Sequence, residues 1–403
     1  MQAEEIRGKA EMVEELKEEF FGHVIPYWMD KVDPEYGGYY GQMDYQLNLN
    51  KKADKGCILN SRILWFFSNL YEVFGEAQYL ECAKIAYDFL RENFLDREYG
   101  GVYWMVTYDG KPSDDSKHSY NHSFAIYALS SYYIASGDRD ALNLAYQLFD
   151  IVETRMRDED GYLEAFNRDF TPASNEKLSE NGVMATRTMN TILHLMEAYT
   201  ELYRADKAEH VKDTIHGILD IFRYKIYTPE KERLEVFFDA DYNSLIDLHS
   251  YGHDIEAAWL IDRTVQVLGD EGSKHDLGDI TKSLTKKIYD VAFDGNSLPA
   301  ECENGKVLGL RIWWVECEAM VGFMNGYQKD EERADYKEAV EKIWGFIREH
   351  IVDRREGSEW YYEVDSENVP TSTQPILDAW KCPYHNGRMF MEILRREGGV
   401  EGV

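Results

Sequence analysis

Basic residues are scarce in this chain: 44 lysines and arginines stand against 75 aspartates and glutamates, a formal net charge of −31 over 403 residues. Such a surface repels nucleic acid and anionic membranes, and a neutral or cationic ligand fits it better. Cysteine is also sparse. The five present (Cys57, Cys82, Cys302, Cys317, Cys382) are an odd number at wide spacings, which speaks against a disulfide framework and for reduced thiols in the cytoplasm. No apolar run is long enough to span a membrane as a helix, and residues 1–20 are charged throughout, unlike a signal peptide. A GxGxxG or GxxxxGKS/T motif is missing, so no nucleotide cofactor is expected. An HExxH motif and paired CxxC motifs are missing too, and a metal is not expected.

Aromatic rings are what the chain has in excess, with 29 tyrosines, 18 phenylalanines and 9 tryptophans. Many therefore carry a polar tip, which suits a cleft that holds polyhydroxylated ligands by stacking and hydrogen bonds. A recurring punctuation organises the rest. Turn residues followed by alternating aromatics begin at Asp33, Asp96 and Asp158, with weaker echoes at Pro229, Asp290 and Asp353, at successive separations of 63, 62, 71, 61 and 63 residues. Each reads as a short β-hairpin. Between hairpins lie pairs of helical patterns, clearest at 121–136 with 139–156 and at 188–204 with 207–224. Several are apolar over most of their circumference and demand burial on more than one side. Six hairpin-linked pairs, about twelve helices, point to an all-α (α/α)6 barrel over residues 1–403, one domain with the hairpins at one mouth; an open solenoid is the alternative.

On that plan the unusual polar and aromatic residues gather where the inner helices begin. They are Arg62, Asn121, Asn190, His194, His253, Glu256, Trp313, Trp314, Glu318, Trp380 and His385. A structural core would scatter them along the helices. His249, His253 and Glu256 could in principle form a metal set, but Ser250, Tyr251 and Gly252 make a common helix for the two histidines doubtful. Arg62 lies among apolar neighbours and needs an anionic partner, either a ligand or an internal glutamate such as Glu318.

The segments GCILNSR (56–62), NEKLSENG (175–182), IDLHSYGHDIEAAWLIDR (246–263), AFDGNSL (292–298) and WKCPYHNGRM (380–389) resemble the cellobiose 2-epimerases of the N-acylglucosamine 2-epimerase superfamily, over essentially the whole chain. The resemblance implies an (α/α)6 barrel and a cofactor-independent isomerase. Its substrate would be a β-1,4-linked disaccharide such as cellobiose, lactose or mannobiose, inverted at C2 of the reducing-end sugar through a cis-enediolate. His253 and His385 would then exchange protons with opposite faces of C2, each having a reference pKa of about 6.5. Glu256 would orient or tune His253, and Arg62 and His194 would polarise the C1 and C2 oxygens. Asn190, Asn121 and Glu318 would bind hydroxyls, and Trp313, Trp314 and Trp380 would offer stacking surfaces. The competing readings are an aldose–ketose isomerase using the same histidines, an inverting glycoside hydrolase using Glu256 and Glu318, and a non-catalytic sugar-binding protein. A monomer is expected.

Overall fold

The computed structural model describes residues 2–179 and 181–398; Glu180, inside the 175–182 motif, and the chain ends lie outside the described residues. Among the described residues twelve helices alternate between two rings. In chain order they are α1 (Gln2–Glu19, carried on to Met29 through a π-helical turn), α2 (Cys57–Phe74), α3 (Ala77–Phe89), α4 (Ser119–Ser136), α5 (Arg139–Arg155) and α6 (Met189–Asp206). They continue with α7 (Glu209–Ile221), α8 (Tyr251–Leu268), α9 (Glu271–Val291), α10 (Trp313–Lys329), α11 (Ala334–Phe346) and α12 (His385–Arg396). The even-numbered helices touch in sequence and α12 returns to α2, so the inner ring closes. Each odd-numbered helix lies outside it, α1 against α12 and the others against the inner helix before them.

Residue patterning decides which ring a helix joins. In α4 every residue from Ser119 to Tyr132 is buried, as an inner helix must be. In α7 only Val211, Ile215, Ile218, Leu219 and Ile221 are buried, a single stripe that faces inward while the rest meets water. Gly75, Gly137 and Gly269 end α2, α4 and α8 in the left-handed conformation, which costs glycine little.

The rim of the barrel repeats as strictly as its helices. A short strand precedes five inner helices and pairs antiparallel with the strand of the next repeat: Lys55 with Val106, Lys117 with Phe166, Arg187 with Phe238, His249 with Cys302 and Arg311 with Val364. Met43 pairs with Leu377 and closes the circle. The residue two before each of these helices is a base. Lys55, Lys117, Arg187 and Arg311 bind Asp33, Asp96, Asp158 and Asp294 at 2.7, 3.0, 2.7 and 2.7 Å. In three repeats this aspartate is the residue that opens the hairpin signal. The fifth differs from expectation: Asp290 lies inside α9, and the turn forms at Asp294, ahead of the hairpin of Glu301–Glu303 with Lys306–Leu308. Helix propensity and the apolar stripe extend α9 past the position at which the punctuation was read. No helix among the described residues is long and apolar enough to cross a membrane.

The buried rim pairs carry a stability prediction. Lys55 and Asp33 are both almost fully buried, so Lys55→Met, which strands the aspartate, is expected to cost about 3–5 kcal/mol in urea unfolding. Lys286→Met, which removes an exposed pair with Asp290 on α9, should change stability by no more than about 0.5 kcal/mol.

Candidate active site

A helix shows every third or fourth residue to the barrel axis, so the residues at second, sixth and ninth place of the inner helices form layers. The second places hold Tyr120, Asn190, Gly252 and Trp314; the sixth hold Arg62, Phe124, His194, Glu256 and Glu318; the ninth hold Trp65, Tyr127, Glu197 and Trp259. Above the second layer opens a cavity of about 330 Å³, walled by Trp313, Trp314, Trp380, Tyr362, Phe237 and the hairpin leucines Leu308 and Leu310. Arg62, Asn190, His194, His253, Glu256 and His385 all line it.

Asn121 does not. It stands third in α4, and its Nδ2 donates to the Tyr103 carbonyl at 2.9 Å, away from the cavity. Its neighbour Tyr120 lines the cavity instead, accepting a hydrogen bond from Arg62 Nη2 at 2.9 Å. Counting helical phase from Arg62 and His194 would have found Tyr120.

His253 and His385 flank the indole of Trp314, with ring centroids 4.8 and 5.4 Å from it. Ser250 Oγ holds His253 Nδ1 at 2.7 Å and leaves Nε2 without a hydrogen-bond partner among the described residues. Burial, reinforced by His194, pushes the His253 pKa down to about 3. His385 Nδ1 and Glu318 Oε1 share a hydrogen bond of 2.8 Å, which leaves Nε2 as the ring nitrogen that the carboxylate does not engage. Burial and then the charges of Arg62 and Arg388 hold it well below the usual imidazole range. Both rings are therefore neutral at neutral pH.

Beneath them lies a floor built on one arginine. Arg388, fourth in α12, donates to Glu197, Glu256 and Glu318, with distances of 2.5, 2.5 and 2.6 Å. Glu197 also accepts from the Tyr384 hydroxyl and from His194 Nδ1, the latter at 3.0 Å. Burial works against its charge, but Arg388 and His194 keep it well below the ordinary range. Glu256 and Glu318 go the other way: burial pushes both up, and for Glu256 the neighbouring Glu318 charge adds to it. Three carboxylates against one guanidinium leave the floor short of positive charge, so a proton is retained among Glu256, Glu318 and His385.

Two sequence assignments change here. Glu256 touches Arg388 and lies 4.0 Å from His385, so Ser250, not Glu256, orients His253. Glu318 is not a cavity wall; it lies below, accepting from Trp259 Nε1 at 2.9 Å and from Arg388 and His385. The internal ion pair considered for Arg62 is consequently not made. Its nearest partners are Tyr120, the Trp380 carbonyl at 3.3 Å, Cys382 Sγ at 3.9 Å and the Phe124 and Tyr384 rings, at 4.2 and 4.7 Å. Among the described residues no carboxylate pairs with this buried cation.

The His249, His253, Glu256 metal set is not assembled either. His249 occupies the rim position that is lysine or arginine in the other repeats, and its Nε2 bonds to Asp254 at 2.9 Å. Glu256, Glu318 and His385 do come within ligand distance of one another, but the Arg388 guanidinium already serves both carboxylates there. Sequence reading also passed over Arg388, Glu197 and Tyr384. Arg388 carried the signal that exposed Arg62, a lone arginine among apolar residues, while Glu197 looked like any helical glutamate.

Comparison with known proteins agrees with this geometry. The model of the family N-acylglucosamine 2-epimerase (GlcNAc 2-epimerase) matches residues 38–386. A cellobiose 2-epimerase of Ruminococcus albus is 50% identical over 96% of this chain and 99% of its own length. The crystal structure of a sugar epimerase from a ruminal bacterium, 49% identical, superposes with a TM-score of 0.94 over 97% of this chain and 100% of that one. A D-mannose isomerase structure, 18% identical, shares the fold with a TM-score of 0.79 over 96% of this chain and 97% of that one. The chain therefore belongs to the N-acylglucosamine 2-epimerase family, and it is an isomerase of the epimerase kind.

Proposed function

We propose that this protein inverts C2 of the reducing-end sugar of β-1,4-linked disaccharides such as cellobiose, lactose and mannobiose, interconverting their glucose and mannose forms. The observation that carries the reading is the pair of neutral imidazoles on either side of Trp314, beside a buried arginine that no carboxylate pairs with among the described residues. Ring opening exposes the C1 aldehyde and acidifies the C2 proton. One histidine takes that proton, and the electron pair moves onto O1 of a cis-enediolate. Among the described residues Arg62 is the one cation at the cavity wall that no carboxylate engages, so the new oxyanion supplies the charge it lacks. A proton delivered to the opposite face of C2 then re-forms the aldehyde with inverted configuration. The proton held among Glu256, Glu318 and His385 lets His385 act as the donor while its ring stays neutral at rest: Nε2–H protonates C2 as the carboxyl proton passes to Nδ1, and the roles exchange in the reverse reaction.

Asn190 and His194 face the cavity and serve as hydroxyl partners, and the indoles of Trp313, Trp314 and Trp380 give the sugar rings apolar surface. The inverting-hydrolase alternative needs two carboxylates about 6.5–9.5 Å apart on either side of a glycosidic bond. Here Glu256 and Glu318 share one Arg388 nitrogen, and only Glu256 reaches the cavity. Five free thiols, four of them buried, suit a protein of the cytoplasm.

The direct test is incubation with cellobiose in D2O. Glucosylmannose carrying deuterium at C2 is expected, and His253→Asn and His385→Asn should each abolish net epimerisation. Free glucose as the product, or full epimerisation by either variant, would contradict the mechanism.

Arg62→Lys keeps the charge but not the planar fork that can hold two oxygens. A loss of about 10²–10³ in kcat is expected, with an unchanged thermal melt; near-normal turnover would assign Arg62 a structural part.

The pH profile has a defined sign. Because His253 gains its proton only near pH 3, kcat/KM should stay level from about pH 5 to 7, where an ordinary imidazole would give an acid limb. It should fall as pH rises past about 8, where the floor loses its shared proton.

A further inference from the structure

We propose that Gly252 is the positioning residue that decides which carbon of the enediolate is reprotonated, and so whether the epimer or the ketose is released; this rests on the function proposed above. Gly252 is the second residue of α8, at the inward place where α4, α6 and α10 carry Tyr120, Asn190 and Trp314. Its backbone is helical, a conformation any residue adopts, and glycine is among the poorest helix formers. Space is therefore the reason for it. A Cβ built there would stand 2.5 and 2.6 Å from Cη2 and Cζ3 of Trp314 and 2.8 Å from a methyl of Val315. The indole thus lies directly on the α8 backbone, and among the described residues no hydrogen bond to the protein holds it. Its contact with Gly252 sets how far it reaches between His253 and His385.

That reach bears on the chemistry because the two possible proton acceptors are adjacent atoms. When C2 takes the proton, the O1 charge collapses to a C1 carbonyl and the product is the epimer. When the O2 proton passes to O1 and C1 takes the new proton, the charge on O2 collapses to a C2 carbonyl and the product is the ketose. Both routes start from one enediolate and consume one proton. Only the position of the sugar against the donor imidazole separates them, and the face of Trp314 between the imidazoles sets that position. Adding a methyl at position 252 would push the indole into the cavity by about 1 Å to restore an ordinary carbon contact of about 3.5 Å.

The experiment is product analysis with cellobiose for Gly252→Ala, with Gly217→Ala as a control, since a Cβ at Gly217 on α7 meets nothing within 4 Å. Gly252→Ala should raise the ketose-to-epimer ratio at least fivefold and raise KM, while Gly217→Ala matches the wild type. In a Trp314→Phe background, which lacks the two crowded ring carbons, adding Gly252→Ala should change the ratio less than twofold. An unchanged ratio in folded Gly252→Ala, or the same shift with and without the indole, would overturn the proposal. Should Gly252→Ala not fold, Trp314→Phe alone must raise the ratio, and an unchanged ratio there would overturn it equally. Wild-type enzyme that makes no epimer would overturn the functional reading and this proposal together; epimer from the wild type with an unresponsive Gly252→Ala overturns this proposal alone.

Discussion

The site depends on one buried guanidinium shared by three carboxylates. Arg388 reaches Glu197, Glu256 and Glu318, and each carboxylate passes the constraint on: Glu318 to His385 and Trp259, Glu197 to His194 and Tyr384. Buried charges of this kind are costly unless every partner is in place, so the network has one arrangement and holds its histidines in it. Three carboxylates meet one guanidinium, and that shortfall of positive charge keeps a proton beside the cavity. Rigidity of the side chains and supply of a proton thus have the same origin.

The sixfold repeat lets one helical position serve several purposes. Sixth place on the inner helices is arginine in α2, phenylalanine in α4, histidine in α6 and glutamate in α8 and α10, all aimed at one axis because the helices share one phase. His249 and His253 show how sharply place decides fate. Four residues apart, one sits on a rim strand, paired with Asp254 in the position that holds Lys55 or Arg187 elsewhere; the other stands third in α8 with a ring nitrogen left over. They are the same residue type in different registers.

Charge is distributed against the average. The chain as a whole carries −31, yet Arg62 stands at the cavity wall with rings and a phenol around it and no carboxylate partner among the described residues. A neutral sugar can enter past an acidic surface without penalty, and only the intermediate formed inside is an anion. The cavity therefore favours the charge that develops during reaction over the charge that arrives with a ligand.

The sequence by itself determined the architecture, because the hairpin period and the all-round apolarity of alternate helices are local patterns that only a closed double ring can bury. It also determined where the chemistry lies, since Arg62, His194, His253 and His385 are too polar for the helices that carry them. The partnerships were decided only in the folded molecule. That Glu256 belongs to Arg388 and not to His253, that Glu318 supports His385 from below, and that Tyr120 faces the cavity where Asn121 does not, all depend on helix phase and on contacts between residues far apart in the chain, as of Arg388 with Glu256, His385 with Glu318 and Arg62 with Tyr120. A linear chain displays residue type and spacing, whereas a buried charge selects its partner from whatever the closed ring places within reach, and closure joins α12 to α2 from opposite ends of the sequence.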